Sequence, residues 1–196
     1  QVARWLEAKP SGAWRDGWRI AAVTVSCLLI AAGLVYTTLA IPARAKEHGV
    51  PWTLDGAAWL DEARPQDATA IRWINANITG TPVIVEAPGD EHRAYVYEGR
   101  VSALTGLPTV LGWASHQLQW RGNYDEPSAR EKDLDLLFTT MDPAVVHVIL
   151  DRYQVSYVYV GPVELSRYPV EGLMKFAEMF PAVYTADGVT LYQVRP

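Results

Sequence analysis

An uncharged run of 22 residues near the start of the chain constrains its fold more than any other feature. The run covers residues 20–41 and reads IAAVTVSCLLIAAGLVYTTLAI. At ~1.5 Å per residue, a helix of this length reaches about 33 Å, enough for the ~30 Å hydrocarbon core of a bilayer. The alternatives are a buried core helix and a signal peptide, whose apolar region is usually only ~7–15 residues long. We predict a transmembrane helix over residues 20–42, which Pro42 ends.

The charges on the two sides of this run differ. Residues 1–19 carry a net charge of +2, whereas residues 44–196 carry −7. Cytoplasmic flanks are enriched in Lys and Arg, and only Arg44 and Lys46 follow the run closely. We therefore predict that residues 1–19 are a cytoplasmic flank in the plasma membrane and that the body is extracytoplasmic. The lipid bilayer is then a partner, and the acidic body argues against nucleic acid as another.

Residues 43–63 are predicted to form a tether, and residues 64–196 a folded domain. A helix is predicted from Pro65, because proline fits the first turn of a helix. Its apolar residues recur at helical spacing, as they also do in a second helix that Asp142-Pro143 begins. A third helix is predicted around residues 172–180.

Strand signals alternate with these helices. Continuous apolar runs at residues 82–87 and 155–160 are typical of strands that are covered on both faces, as in parallel sheets. Two further runs flank Asp187-Gly188, a pair that favours a two-residue hairpin turn. The predicted fold class is therefore a layered α/β domain with a partly parallel sheet and a C-terminal β-hairpin. Residues 121–131 are predicted to form a long surface loop.

The segment 100–122, RVSALTGLPTVLGWASHQLQWRG, is the most distinctive part of the domain. Indole faces stack on sugar rings or lipid headgroups, and a guanidinium can bind a phosphate or carboxylate through two N–H groups. A purely structural alternative has the segment wrapping the sheet, with its Trp side chains in the core. The candidate ligand-binding residues in this segment are Trp113, His116, Gln117, Trp120 and Arg121.

Glu86 is a further candidate, because it closes a predicted parallel strand. Open α/β sheets bind ligands beyond the carboxyl ends of their strands. We interpret Asp90, Glu91 and His92, which follow, as a solvated turn, because they lack a known metal-ligand spacing. Cys27 is the single cysteine, so a disulfide framework is excluded. Neither a metal site nor a cofactor is evident in the sequence.

Four motifs follow one another along the chain: LDGAAWL at 54–60, TGLPTVLGW at 105–113, HQLQWRG at 116–122 and YVYVG at 157–161. In this order they resemble the YYY family of large polytopic membrane proteins of bacteria and archaea, over about residues 50–196. The resemblance implies a relationship to GT-C-type glycosyltransferases, which use a polyprenyl-phosphate sugar donor at the outer membrane face. The chain would then be the last transmembrane helix of such a protein and its C-terminal extracytoplasmic domain.

The resemblance also implies where catalysis occurs. In GT-C enzymes the catalytic carboxylate lies in the first extracytoplasmic loop, so no catalytic residue is assigned in this chain. Whether the parent protein uses a divalent metal stays open. Gln117 stands where the family pattern has an acidic residue; this departure argues against acid–base chemistry at the position and is compatible with hydrogen bonding to a sugar.

Three functions follow as hypotheses. In the first, the chain belongs to a membrane glycosyltransferase-like protein, and its domain assists the binding of an acceptor or a polyprenyl-phosphate sugar. Its partners would be the parent's other transmembrane helices and a glycan or lipid-linked sugar. The second is a single-span binding or sensor domain without catalysis. The third, a tethered hydrolase using Ser102, Ser115 and His116, is the weakest, because the G-x-S-x-G motif is absent. A start at Gln1, not Met, favours the first hypothesis.

The charge asymmetry predicts the topology directly. In a Cys27→Ser background, a membrane-impermeant thiol reagent applied to intact cells is expected to label Ser128→Cys but not Ser11→Cys. The reason is that only the acidic body faces the outside. The reverse labelling pattern would contradict the predicted orientation.

Overall fold

A computed structural model of the protein describes residues 12–47, 53–89 and 94–195, and the chain forms two compact units, Gln1–Gly56 and Ala57–Pro196. Helix α1 (Gly12–Glu47) is the element of the first unit. Its segment Asp16–Arg44 has a mean hydropathy of 2.2 and is long and apolar enough to cross a membrane. The predicted apolar N-terminal helix is confirmed.

The prediction that Pro42 ends this helix is wrong. Pro42 lies inside α1, which continues to Glu47. Proline has a backbone φ that suits a helix, but inside one it removes a hydrogen bond and its ring crowds the carbonyl of the preceding turn. Such prolines are tolerated in membrane helices.

The second unit contains, in its described part, a four-stranded sheet and eight helices. The strands are β1 (Val83–Val85), β2 (Val155–Val160), β3 (Ala182–Ala186) and β4 (Val189–Gln193). The helices are α2 (Trp59–Ala63), α3 (Pro65–Asn77), α4 (Arg100–Thr105), α5 (Ala114–Arg121), α6 (Asp125–Thr139), α7 (Pro143–Arg152), α8 (Pro162–Arg167) and α9 (Val170–Met179). Helix α2 lies within the predicted tether, and its Leu60 packs with Ala68 and Ile71 of α3.

The strands are ordered β1-β2-β4-β3. Strand β1 pairs with β2 in parallel, whereas β2–β4 and β3–β4 are antiparallel pairs. The hairpin turn between β3 and β4 places Asp187 and Gly188 at φ values of 52° and 81°. Positive φ at both central residues is the requirement of a type I′ turn, which glycine meets without strain. The predicted α/β fold class, with its partly parallel sheet and C-terminal hairpin, is confirmed.

Helices cover both faces of the sheet because successive strand residues point to opposite sides. Val158 of β2 belongs to the core that α6, α7 and α9 cover, while the adjacent Tyr159 packs with α3 and α4. On the first side, Gly172 of α9 lies so close to α6 that a Cβ there would overlap the carbonyl oxygen of Phe138. The sheet is therefore the middle layer of three.

Local sequence signals identify most elements correctly. Pro65 begins α3, and the Asp142 side chain caps α7 by accepting a hydrogen bond from the Ala144 N–H at 2.9 Å. The predicted loop at 121–131 is wrong, because α6 begins at Asp125. Acidic residues favour the first turn of a helix, and Pro127 is tolerated there because its missing N–H would have no helical partner.

Candidate functional site

A buried guanidinium organises the side of the sheet where β1 ends. Arg100, at the start of α4, has ion pairs with three carboxylates, all with side chains at most 1% exposed. The N–O distances are 3.0 Å to Asp67, 3.4 Å to Glu86 and 2.9 Å to Glu164. We call these four residues the Arg100 cluster. It joins α3, the end of β1, α4 and α8.

Each carboxylate in the Arg100 cluster also accepts hydrogen bonds from other groups. Glu86 accepts the backbone N–H groups of Val101 and Ser102 at 3.0 and 2.9 Å, at the N-terminus of α4. Glu164 accepts the N–H groups of Ala87 and Gly161 at 2.8 and 2.9 Å. Buried charges are tolerated only with such compensation, so the cluster fixes the backbone around it.

Two tyrosines donate further hydrogen bonds to Asp67. Tyr97 and Tyr159 donate their hydroxyl groups to its two carboxylate oxygens, at 2.6 and 2.5 Å. Burial and the Asp67 carboxylate both raise the pKa of each phenol, so both hydroxyls remain protonated donors. The ring of Tyr97 is thereby held at the surface edge of the cluster.

Burial and the close packing of charges change the ionisation of the Arg100 cluster. Burial raises the pKa of Glu86 from its ordinary 4.5 to about 7, although Arg100 and two backbone N–H groups oppose the rise. Burial alone would lower the pKa of Arg100, but Glu164 and Glu86 raise it well above its usual range. Arg100 therefore keeps its positive charge, whereas the carboxyl group of Glu86 changes its ionisation near neutral pH.

An open groove of about 480 Å³ lies beside the Arg100 cluster. Four aromatic side chains line it, together with the guanidinium of Arg64: Trp59, Tyr95, Tyr97 and Trp113. We call it the aromatic groove. Its volume is in the range of ligand pockets, ~300–1,000 Å³. Trp59 meets Tyr97 edge to face at 6.1 Å, and Tyr95 lies 5.0 Å from Trp113 between ring centroids.

Trp113 anchors one side of the groove. Its indole N–H donates to the carbonyl oxygens of Val96 and Glu98, at 3.0 and 2.7 Å. A Cβ at Gly99 would lie 3.4 Å from the indole nitrogen, and Gly99 has φ +82°. The predicted ligand residue Trp113 thus lines the groove and at the same time holds the segment that carries Tyr95 and Tyr97.

His116 and Trp120 extend the aromatic contacts away from the groove. The Trp120 indole N–H donates to His116 Nε2 at 2.9 Å, so a neutral His116 carries its proton on Nδ1. Nδ1 lies 3.0 Å from the Tyr95 hydroxyl, to which it can then donate. Trp120 itself is 79% exposed and is not among the residues that line the groove.

The remaining predicted residues lie outside the aromatic groove. Arg121 forms an ion pair with Glu126, and Gln117 lies partly exposed in the first turn of α5. Glu86 is completely buried, so it cannot contact a ligand in this conformation. Ser102 donates to the Leu107 carbonyl at 2.7 Å. Asp90, Glu91 and His92 lie outside the described residues.

The structure thus brings together Trp113, His116 and Trp120, but the groove and the Arg100 cluster include residues that sequence reasoning missed. Trp59 lies in the predicted tether and Arg64 directly follows it, so both seemed remote from segment 100–122. Tyr95 and Tyr97 are close in the chain, but the period of a strand could not have identified them, because Tyr95 has a φ of 59° and the segment is not a strand. Asp67 and Glu164 could not be recognised as members of a buried cluster from the sequence, because acidic residues are common in the first turn of a helix.

Comparisons with known proteins add a structural likeness. No protein-family model and no curated protein matches the sequence. The structure is similar to that of the C-terminal globular domain of an oligosaccharyltransferase from Archaeoglobus fulgidus, with a TM-score of 0.41 and 12% sequence identity. The match covers 74% of this chain and 100% of that one. Membership of the YYY family stays a prediction.

The raised pKa of Glu86 predicts how stability depends on pH. The folded state binds this proton more tightly than the unfolded state does, so the stabilisation is fully present below pH 4.5 and is lost as pH rises towards 7. Between pH ~5 and ~8, the unfolding free energy of the wild-type chain is expected to fall by about 2–3 kcal/mol relative to Glu86→Gln. Urea unfolding at several pH values measures this difference.

Glu178→Gln is the matched control, because Glu178 is exposed on α9. It should follow the wild type at every pH. If the curves of the wild type and Glu86→Gln run parallel, Glu86 does not titrate in this range.

Proposed function

We propose that the chain is part of a membrane glycosyltransferase-like protein, and that its domain binds a saccharide in the aromatic groove. The saccharide would belong to the acceptor or to a polyprenyl-phosphate sugar. The domain would lie on the extracytoplasmic side of the plasma membrane, beside the parent's other transmembrane helices. The observation that carries this proposal is the groove itself, in which four aromatic side chains and a guanidinium surround one open space.

The aromatic groove suits a sugar because of the chemistry of both surfaces. A pyranose ring has faces of C–H groups and a rim of hydroxyls, so it stacks on an aromatic face while its rim needs polar partners. Tyr95 is 68% exposed and Trp59 is 38% exposed, so both rings are open to a ligand. Large exposed aromatic rings that share one concave surface are typical of a binding site.

The role proposed for this groove is binding. The described residues that line it include two arginines but no carboxylate or histidine that could act as a general acid or base. The carboxylates that pair with the lining residue Arg100 already accept hydrogen bonds within the Arg100 cluster. We therefore place the catalytic step of the parent protein outside this domain.

Trp59→Ala tests the proposal against a matched control, Trp120→Ala. Both tryptophans are exposed, but only Trp59 lines the groove. Methyl glycosides of glucose, mannose, galactose and N-acetylglucosamine are titrated into the full chain in lipid nanodiscs, because sugar-based detergents would compete. Affinity is measured by saturation-transfer NMR. Trp59→Ala is expected to weaken the best ligand about tenfold, or ~1.4 kcal/mol, through lost stacking.

Trp120→Ala should leave the same affinity unchanged within about twofold, since an exposed ring outside the groove has no ligand contact to lose. The proposal fails if no glycoside binds to the wild-type chain. It also fails if Trp59→Ala and Trp120→Ala have the same effect.

A further inference from the structure

Arg64 occupies a fixed position at the edge of the aromatic groove. It lies between α2 and α3, where its backbone N–H donates to the Leu60 carbonyl at 2.8 Å. Its guanidinium carbon lies 4.8 Å from the centroid of the Tyr97 ring. The following Pro65 restricts the backbone further. The guanidinium is thus presented to solvent on a restrained backbone and over a fixed ring.

Tyr97 has further contacts that fix its ring. The guanidinium of Arg100 lies 5.4 Å from the same ring, and the Tyr97 hydroxyl donates to Asp67. Stacking on an aromatic ring orients a guanidinium but engages none of its five N–H donors. The donors of Arg64 therefore remain available for an acceptor.

Arg64 differs from the other arginines of the domain. Within residues 53–89 and 94–195, every other arginine has a carboxylate within 4 Å. Arg64 forms no ion pair with any residue in these ranges. The arginines with such partners are Arg72, Arg100, Arg121, Arg130, Arg152, Arg167 and Arg195. Of the two arginines that line the groove, Arg100 is paired with carboxylates, whereas Arg64 has no carboxylate of the described residues within 4 Å.

We infer that the ligand of the aromatic groove is an anionic saccharide, whose carboxylate or phosphate group binds Arg64 while its ring stacks on the aromatic side chains. This inference rests on the proposed function and adds the charge class of its ligand. A guanidinium binds either anion through two parallel N–H···O bonds, so a uronate and a sugar phosphate share the required chemistry. Arg64 is then the residue that determines specificity for charge.

Four probes separate the contributions of charge and ring: methyl β-D-glucuronide, glucose 1-phosphate, methyl β-D-glucoside and inorganic phosphate. Each is titrated into the full chain in nanodiscs of zwitterionic lipid at pH 6, where protonated Glu86 reduces the negative charge near the groove. At least one anionic saccharide is expected to bind about tenfold more tightly than the neutral glucoside. Arg64→Gln should reduce that affinity to the level of the glucoside.

Arg152→Gln is the control for the loss of one exposed positive charge, because Arg152 lies on α7 and is not among the residues lining the groove. It should keep the preference for the anionic saccharide. The Arg64 side chain makes no helix-capping hydrogen bond, so Arg64→Gln should keep the thermal melt of the wild type. Binding of only one of the two anionic saccharides would identify the source of the charge.

Two results would overturn the inference and leave the proposed function intact. One is equal affinity for the neutral glucoside and both anionic saccharides, and the other is an unchanged preference in Arg64→Gln. Inorganic phosphate that binds as tightly as glucose 1-phosphate would also overturn it, because the ring would then contribute nothing. Absence of binding by every saccharide would overturn the proposed function as well.

Discussion

The guanidinium of Arg100 holds three carboxylates from separate parts of the chain in a site without water access. Asp67, Glu86 and Glu164 come from α3, from the end of β1 and from α8, and each also accepts hydrogen bonds from other groups. Breaking a buried ion pair from one side typically costs ~3–5 kcal/mol, because the partner charge remains buried. Removing Arg100 would leave three buried carboxyl groups without their common cation. The helices and strand that meet here therefore depend on a single side chain.

The same cluster explains why the aromatic groove has a defined shape. The Tyr97 hydroxyl donates to Asp67, and the guanidiniums of both Arg100 and Arg64 lie close to its ring. Trp113 binds the carbonyl groups on either side of Tyr97. A groove whose walls are held before the ligand arrives requires less ordering on binding, which favours affinity. Trp113 thus both lines the groove and holds its wall, whereas the sequence analysis treated a place at a ligand site and a structural role as alternatives.

The sequence predicts those structural elements whose signals act between residues close together in the chain. Helix α7 and the C-terminal hairpin were predicted because a cap at Asp142 and a turn at Asp187-Gly188 act on their immediate neighbours. Helix α6 was missed because its first turn has the composition of a loop. The Arg100 cluster could not be predicted, since it pairs residues far apart in the chain and leaves no periodic pattern. The aromatic character of the site was predicted, but not the contribution of Trp59.

The central claim is that a saccharide binds in the aromatic groove and not elsewhere on the domain. The most direct test is an NMR titration that follows the indole N–H resonances of the ¹⁵N-labelled tryptophans as a binding saccharide is added to the full chain. We expect the resonances of Trp59 and Trp113 to shift, because both line the groove, and those of Trp73 and Trp120 to stay in place. Shifts confined to Trp73 or Trp120 would contradict the claim.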